Sequence, residues 1–213
     1  LGQFVERIGR RVLGDYDQAM ETISAYAQGR AGRLRLASVP SVAAHLLPGP
    51  LAGFLASRPD LSLSLVDTDS AAVRGLIQSG EADLGFCGQP PEGTALRFTP
   101  LFQDQFFLVC RQDNPVSQKR CIAGTDLRDQ TLIGNEASAG LSEPDLRPRL
   151  DAASLRIRNV TSLLAMVSAG MGVTLLPALA TRRLPEGLVA VALAGQHSHR
   201  IVGLIERPGP VVS

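Results

Sequence analysis

RLRLASVPSVAAHLLP, residues 33–48, changes its period half-way along. Arg33 and Arg35 alternate with Leu34 and Leu36, the two-residue repeat of a strand with one apolar face. The alternation breaks at Ser38-Val39-Pro40-Ser41, and a helical pattern follows. A strand that ends in a small polar turn and feeds a helix presents the unpaired N–H groups of the first helical turn beside two hydroxyls. That makes a natural small-ligand site.

The same unit recurs along the chain. Leu61, Leu63 and Leu65 alternate with Ser62 and Ser64, which predicts a strand. Asp67-Thr68-Asp69-Ser70 is rich in N-cap residues and opens a helix through Val73, Leu76 and Ile77 that closes at Gly80. A strand over 82–87 follows at once. This is β-α-β-α-β with short connections, hence a parallel sheet with right-handed crossovers. After a polar segment, 106–110 predicts a strong apolar strand, and Asp113-Asn114-Pro115 turns the chain. The alternation then resumes with a short helix near 126–129 and strands over 131–134 and 155–160. Thr161 or Ser162 is expected to cap a helix carrying Leu163, Leu164 and Val167, ended by Gly170. A strand over 173–176 runs into Pro177 and a short helix over 178–184, and strands over 189–193 and 201–205 come last. Two α/β units result, and ligands of open α/β sheets sit at the carboxyl ends of the strands.

Composition bounds the function. The chain has 213 residues, 45% hydrophobic and 19% charged, enough for one large or two small domains with a real core. A formal net charge of +1 gives no sign of a nucleic-acid partner for this piece, and the lack of Trp argues against a stacking platform. No apolar run approaches a membrane span, so no membrane partner is expected. Glu6, Arg7, Arg10, Arg11, Asp15 and Asp17 interrupt any signal-peptide core. Three cysteines without a CxxC pair fit a reducing cytoplasm better than a disulfide framework or a zinc site. The chain begins without Met, which reads as a fragment or a trimmed chain. Residues 1–28 predict one amphipathic helix, with Leu1, Val5, Ile8, Val12, Tyr16, Met20, Ile23 and Ala27 on a stripe. The α/β pattern starts only after it, so a dimerising connector is expected.

Several stretches resemble the effector-binding half of the LysR-type transcriptional regulators. They are the helix before Gly32, HLLPGPLAGFLASRPDLSLSLVD (45–67), LIQSGEADLGF (76–86), TDLRDQTLI (125–133) and VTSLLAMVSAGMGVTLLPALA (160–180). The resemblance covers essentially the whole chain. It implies a fold like a type II periplasmic binding protein: α/β, two subdomains with a double crossover, preceded by a long N-terminal helix. The expected division is a linker over 1–32, subdomain I over 33–107 with 207–213, and subdomain II over 108–206. The resemblance further implies a small-molecule effector in the cleft between subdomains and a homodimer or tetramer. DNA would be bound only through a winged helix-turn-helix that precedes the linker in such proteins. The family usually ends in a helix, which Pro208-Gly209-Pro210-Val211 does not offer.

The family's effector contacts map onto the turns already marked. In the first subdomain they are Ser38, Val39, Pro40, Ser41, Thr68, Cys87 and Gly88; in the second, Asn135, Glu136 and Thr161. Ser41 is expected to cap its helix and donate into the crevice, and Val39 and Pro40 to form an apolar wall. Any one hydroxyl alone is an ordinary cap. With no arginine at the marked turns, the set suits a small carboxylate or a neutral polar molecule held by N–H groups and helix dipoles. Glu136 is discordant with an anion if it points inward. No cofactor and no metal are expected: His197 and His199 lack a third ligand, and no cysteine spacing marks a redox pair. Catalysis is not expected either, because no GxSxG, P-loop or GxGxxG appears. A solute-binding receptor of a transport system shares the implied fold and is the alternative; the connector helix speaks against it.

Overall fold

The alternating stretch forms β1 (Arg33–Ser38) of a computed structural model that describes residues 9–11, 13–17, 20, 32–141, 143–195 and 198–208. Two units make up the chain: unit 1 comprises Leu1–Pro100 with Gly203–Ser213, and unit 2 comprises Leu101–Val202.

In unit 1, β1 is followed by α1 (Pro40–His45), α2 (Pro48–Ala56), β2 (Ser62–Asp67), α3 (Ser70–Ser79) and β3 (Leu84–Gly88). β1 lies between β2 and β3 and is parallel to both, with Ser38 opposite Asp67 on one side and Phe86 on the other. Two short helices stand where one helical pattern reads from the sequence. Pro48 removes an N–H from the helical ladder, so the chain ends α1 and restarts with proline at the front of α2. α3 is capped at both ends. Asp69 accepts from the N–H groups of Ala71 and Ala72 at 2.9 Å each, and Gly80 takes the left-handed conformation (φ 80°) that ends it. The helix packs directly on β3: a Cβ on Gly85 would fall 2.8 Å from both Val73 and Ile205. Val73, Ile77, Ala82 and Cys87 are buried in that contact layer.

α2 differs from the other helices. Its sequence is PGPLAGFLA, and none of its residues is buried. Of the helix predicted over 1–28, residues 9–11, 13–17 and 20 are helical, and the rest lies outside the described residues. Leu13, Tyr16 and Met20 are 63%, 60% and 47% exposed.

Unit 2 is built on β4 (Arg97–Arg111), which starts in unit 1 and continues here. Its inner portion is antiparallel to β6 (Thr174–Pro177) and to β7 (Leu188–Leu193), and β7 is parallel to β5 (Cys121–Ile122). Two helices, α4 (Arg147–Asp151) and α5 (Val160–Ser168), complete it, and β8 (His199–Glu206) carries the chain back to unit 1. The units divide inside β4 and β8, earlier in each strand than the expected 107/108 and 206/207. Phe106, Leu108 and Leu175 are fully buried in one core cluster, and Ile133, Leu163 and Val167 in another.

The expected strands over 131–134 and 155–160 reduce to single bridges, Leu132 with Val173 and Gly134 with Arg156. Asn135 and Asn159, each committed to capping the turn or helix that follows, stop the ladder from extending. The helices expected near 126–129 and 178–184 are 3-10 turns over Gly124–Leu127 and Ala178–Thr181. One ion pair is enclosed in unit 2: Asp104 accepts from Arg200 at 2.9 Å and from the N–H of Leu179 at 3.2 Å, with both side chains at most 6% exposed.

Candidate functional site

In unit 1 three turns lie side by side at the carboxyl ends of β1, β2 and β3. Backbone hydrogen bonds tie them together: Val39 N–H to Phe86 O at 2.9 Å and Thr68 N–H to Ser38 O at 3.0 Å. The Ser70 hydroxyl, at the start of α3, accepts from Gly88 N–H at 3.1 Å. The turns therefore hold Ser38, Val39, Ser41, Thr68, Cys87 and Gly88 in one cluster.

Within it the roles differ from those the sequence suggests. Val39, not Ser41, is the N-cap residue of α1; Pro40 and Ser41 are its first two helical residues. The proline at the first helical position fixes that register, because its ring suits N1 and it has no N–H to lose. Ser41 is 7% exposed, Ser38 is fully buried, and the Ser38 hydroxyl donates to Val39 O at 3.1 Å. Val39 is 3% exposed and belongs to the core rather than to an open wall. Cys87 is fully buried, and burial pushes its thiol up to about 11 against the opposing pull of the nearby Arg74 guanidinium. A thiol so protonated is a packing group and a poor nucleophile. Asp67 stands at the rim, where partial desolvation pushes its carboxyl above the usual range.

Arg74 is the residue the turns do not reveal. It lies in α3, one helical turn beyond Ser70, and α3 packs on β3. A four-residue step from a polar helix start was the available signal.

The remaining candidates are in unit 2. Asn135 is 4% exposed and fully engaged: its oxygen accepts from Ser138 N–H at 3.0 Å, and its amide donates to Thr174 Oγ1 at 2.9 Å and Leu175 O at 3.1 Å. Such a residue shapes the turn. Glu136, half-buried, faces Arg158 at 3.9 Å. Ile157 N–H bonds Gly134 O at 2.9 Å, so the start of α5 lies beside this turn. The cap of α5 is Asn159, accepting from Ser162 N–H at 3.0 Å, and not Thr161 or Ser162. Asn accepts at the N-cap at least as well as Ser or Thr and comes first in the chain. Thr161 is an exposed residue of the first turn of α5. At the far end of α5, unit 2 also has an open pocket of about 380 Å³ lined by Arg111, Asp113, Gln130, Thr131, Gly170 and Met171 among others. None of the expected site residues lines it.

Among the described residues no group of three or more His, Cys, Asp and Glu side chains is placed to hold a metal. His199 is exposed, and His197 lies outside the described residues.

A model of the LysR substrate binding domain matches residues 27–211. The chain belongs to the LysR substrate binding domain family. It is the effector-binding part of a LysR-type regulator, and the transport-receptor alternative is set aside. The LysR domain is 25% identical over 210 residues to the uncharacterized HTH-type transcriptional regulator YbhD of Escherichia coli strain K12, covering 96% of this chain and 66% of that protein. It is 27% identical over 207 residues to the DNA-binding transcriptional dual regulator OxyR of the same strain, covering 94% of this chain and 68% of that protein. The chain thus spans about two thirds of the curated relatives it matches. The Synechocystis PCC6803 CcmR regulatory domain in complex with 2-PG has the same fold, with a TM-score of 0.72 at 22% identity over 86% of this chain and 91% of that one.

Proposed function

We propose that this LysR domain binds a small polar effector at the unit 1 turns and passes the binding signal to a winged helix-turn-helix outside these residues. The observation that carries the reading is the cluster itself. Three turns meet at the carboxyl ends of parallel strands, the position where open α/β sheets hold ligands. Buried polar side chains line the meeting point: Ser38 is fully buried and Ser41 nearly so. Unit 2 has candidates of its own, Glu136 and Thr161, with Asn135 holding their turn in shape. In this reading the domain acts by binding an effector rather than by catalysis.

The signal is a population shift: effector favours one arrangement of the regulator because it binds that arrangement more tightly. DNA is contacted only by the helix-turn-helix, and the regulator works in the cytoplasm as a homodimer or tetramer. Among the described residues no helix is long and apolar enough to cross a membrane. The exposed Leu13, Tyr16 and Met20, and α2 with its Leu51, Phe54 and Leu55 only half-buried, support assembly.

The test is a thermal-shift screen of this chain against carboxylates, amino acids, aromatics and sugars, repeated with Ser41→Ala and Thr161→Ala. A ligand that raises Tm in the wild type and fails to do so with Ser41→Ala is the expected result. Hits that survive both substitutions place the site elsewhere.

A further inference from the structure

The open pocket of about 380 Å³ belongs wholly to unit 2, and its volume is that of a small-molecule cleft. Its walls are tied to one another. Arg111, at the end of β4, holds Asp113 through two contacts of 2.9 and 2.5 Å, and it donates to Ser168 O, the last residue of α5, at 3.2 Å. The Asn114 amide donates to the Gln130 side chain at 2.9 Å. Val173 N–H bonds Thr131 O at 2.9 Å and joins the wall that follows α5 to the wall over 129–131. Such a pocket is formed in advance of any ligand.

Glycine keeps the wall after α5 close. Gly172 has φ 155°, and a Cβ there would fall 2.5 Å from Thr131 O, so only glycine lets this stretch lie against residue 131. Met171 stands between Gly170 and Gly172 on the pocket wall and is 50% exposed. Its thioether gives an otherwise polar pocket one adaptable apolar surface.

The charge at the pocket selects the polar head of a ligand. Two carboxylates, Asp113 and Asp129, stand against one guanidinium, Arg111. Arg111 holds the Asp113 carboxyl below its usual range, so that group stays ionised at neutral pH. Arg111 is itself engaged by Asp113 and by Ser168 O, and an anion would have to displace a carboxylate to reach it. The pocket also adjoins the C-terminal end of α5, where the helix dipole is negative and favours a cation. The surplus carboxylate and the helix end act with the same sign.

We propose that this pocket is a second ligand site, separate from the unit 1 turns, for a small organic amine whose ammonium meets Asp129 and Asp113 and whose apolar body lies on Met171. It stands or falls independently of the effector cluster.

Three probes of one shape and three charges decide it: benzylamine, benzyl alcohol and benzoate. Each is titrated into the ¹⁵N-labelled whole chain and followed by the amide signals of Thr131, Gly170, Met171 and Gly172. Benzylamine is expected to move these signals saturably, benzyl alcohol more weakly and benzoate least. Asp129→Asn should weaken benzylamine by roughly 2- to 5-fold, the effect of one exposed charge contact. Added salt should weaken it in the same direction. Met171→Ser should weaken benzylamine and benzyl alcohol alike, because it removes the apolar surface and leaves the charge. Asp113→Asn combined with Asp129→Asn leaves Arg111 as the charge of the pocket and should make benzoate the preferred probe. If benzylamine leaves the four signals in place in the wild type, the site is overturned. If the three probes bind equally well, or if the double variant keeps its preference for the amine, the ligand class is overturned.

Discussion

At the residue scale, burial decides what each polar group can do. Cys87, Cys110 and Cys121 are all free, and only Cys121 is exposed. With the Cys87 thiol pushed up to about 11, roughly one molecule in ten thousand carries its thiolate at neutral pH. Burial, aided by the nearby Asp113 carboxylate, also raises the Cys110 thiol. Brief alkylation of the folded chain at neutral pH, read by peptide mass, should therefore label Cys121 and spare the other two. Early labelling of Cys87 contradicts the packing role assigned to it. Asp104 illustrates the opposite use of burial. It pairs with Arg200 where both side chains are at most 6% exposed, and Asp104→Asn removes one charge of that enclosed pair. A loss of about 3 kcal/mol is expected in chemical denaturation; a variant within 0.5 kcal/mol, about the size of an ordinary surface change, contradicts the enclosed pair. Some of these residues were legible in the sequence as members of turns. The proximity of Arg74 to Cys87 was not, because it comes from α3 lying against β3, a contact that no linear spacing displays.

At the element scale, alternation and caps were readable where local chemistry acts alone. The β1, β2 and β3 strands, the Asp69 and Gly80 ends of α3, and the apolar β7 all stand where period and turn residues put them. What was lost is cooperative. Residues 131–134 have strand composition, yet they form single bridges, because the chain is claimed by the Asn135 cap before a ladder can grow. β5 is two residues long and exists only because β7 is beside it. The cap of α5, expected at Thr161 or Ser162, is Asn159, the first of three good capping residues in the chain. The structure makes it testable. Asn159→Ala should cost about 1 kcal/mol of stability, while Thr161→Ala, an exposed first-turn position, should cost a few tenths at most. Urea midpoints of the two variants compare them directly, and an equal loss in both removes Asn159 as the cap.

At the scale of the whole molecule, apolar surface has to be covered somewhere. Leu13, Tyr16 and Met20 are spaced by three and four residues, so they line one face of the N-terminal helix, and all three stay exposed. α2 adds nine residues, PGPLAGFLA, none of them buried. The Leu13, Tyr16 and Met20 face is exposed in the single chain, and a second copy supplies a matching apolar stripe by symmetry. The chain is expected to sediment as a dimer or larger species. Leu13→Ser combined with Tyr16→Ser and Met20→Ser should shift it toward monomer at the same concentration. Phe54→Ser in α2 separates the two surfaces: it should leave the stripe-mediated dimer in place and weaken any assembly beyond it. The triple variant sedimenting like the wild type would remove the stripe as the dimer contact. Because effector binding in this reading works by favouring one arrangement of an assembled regulator, the triple variant should also keep its effector affinity at the unit 1 turns while losing the assembly that the signal acts on.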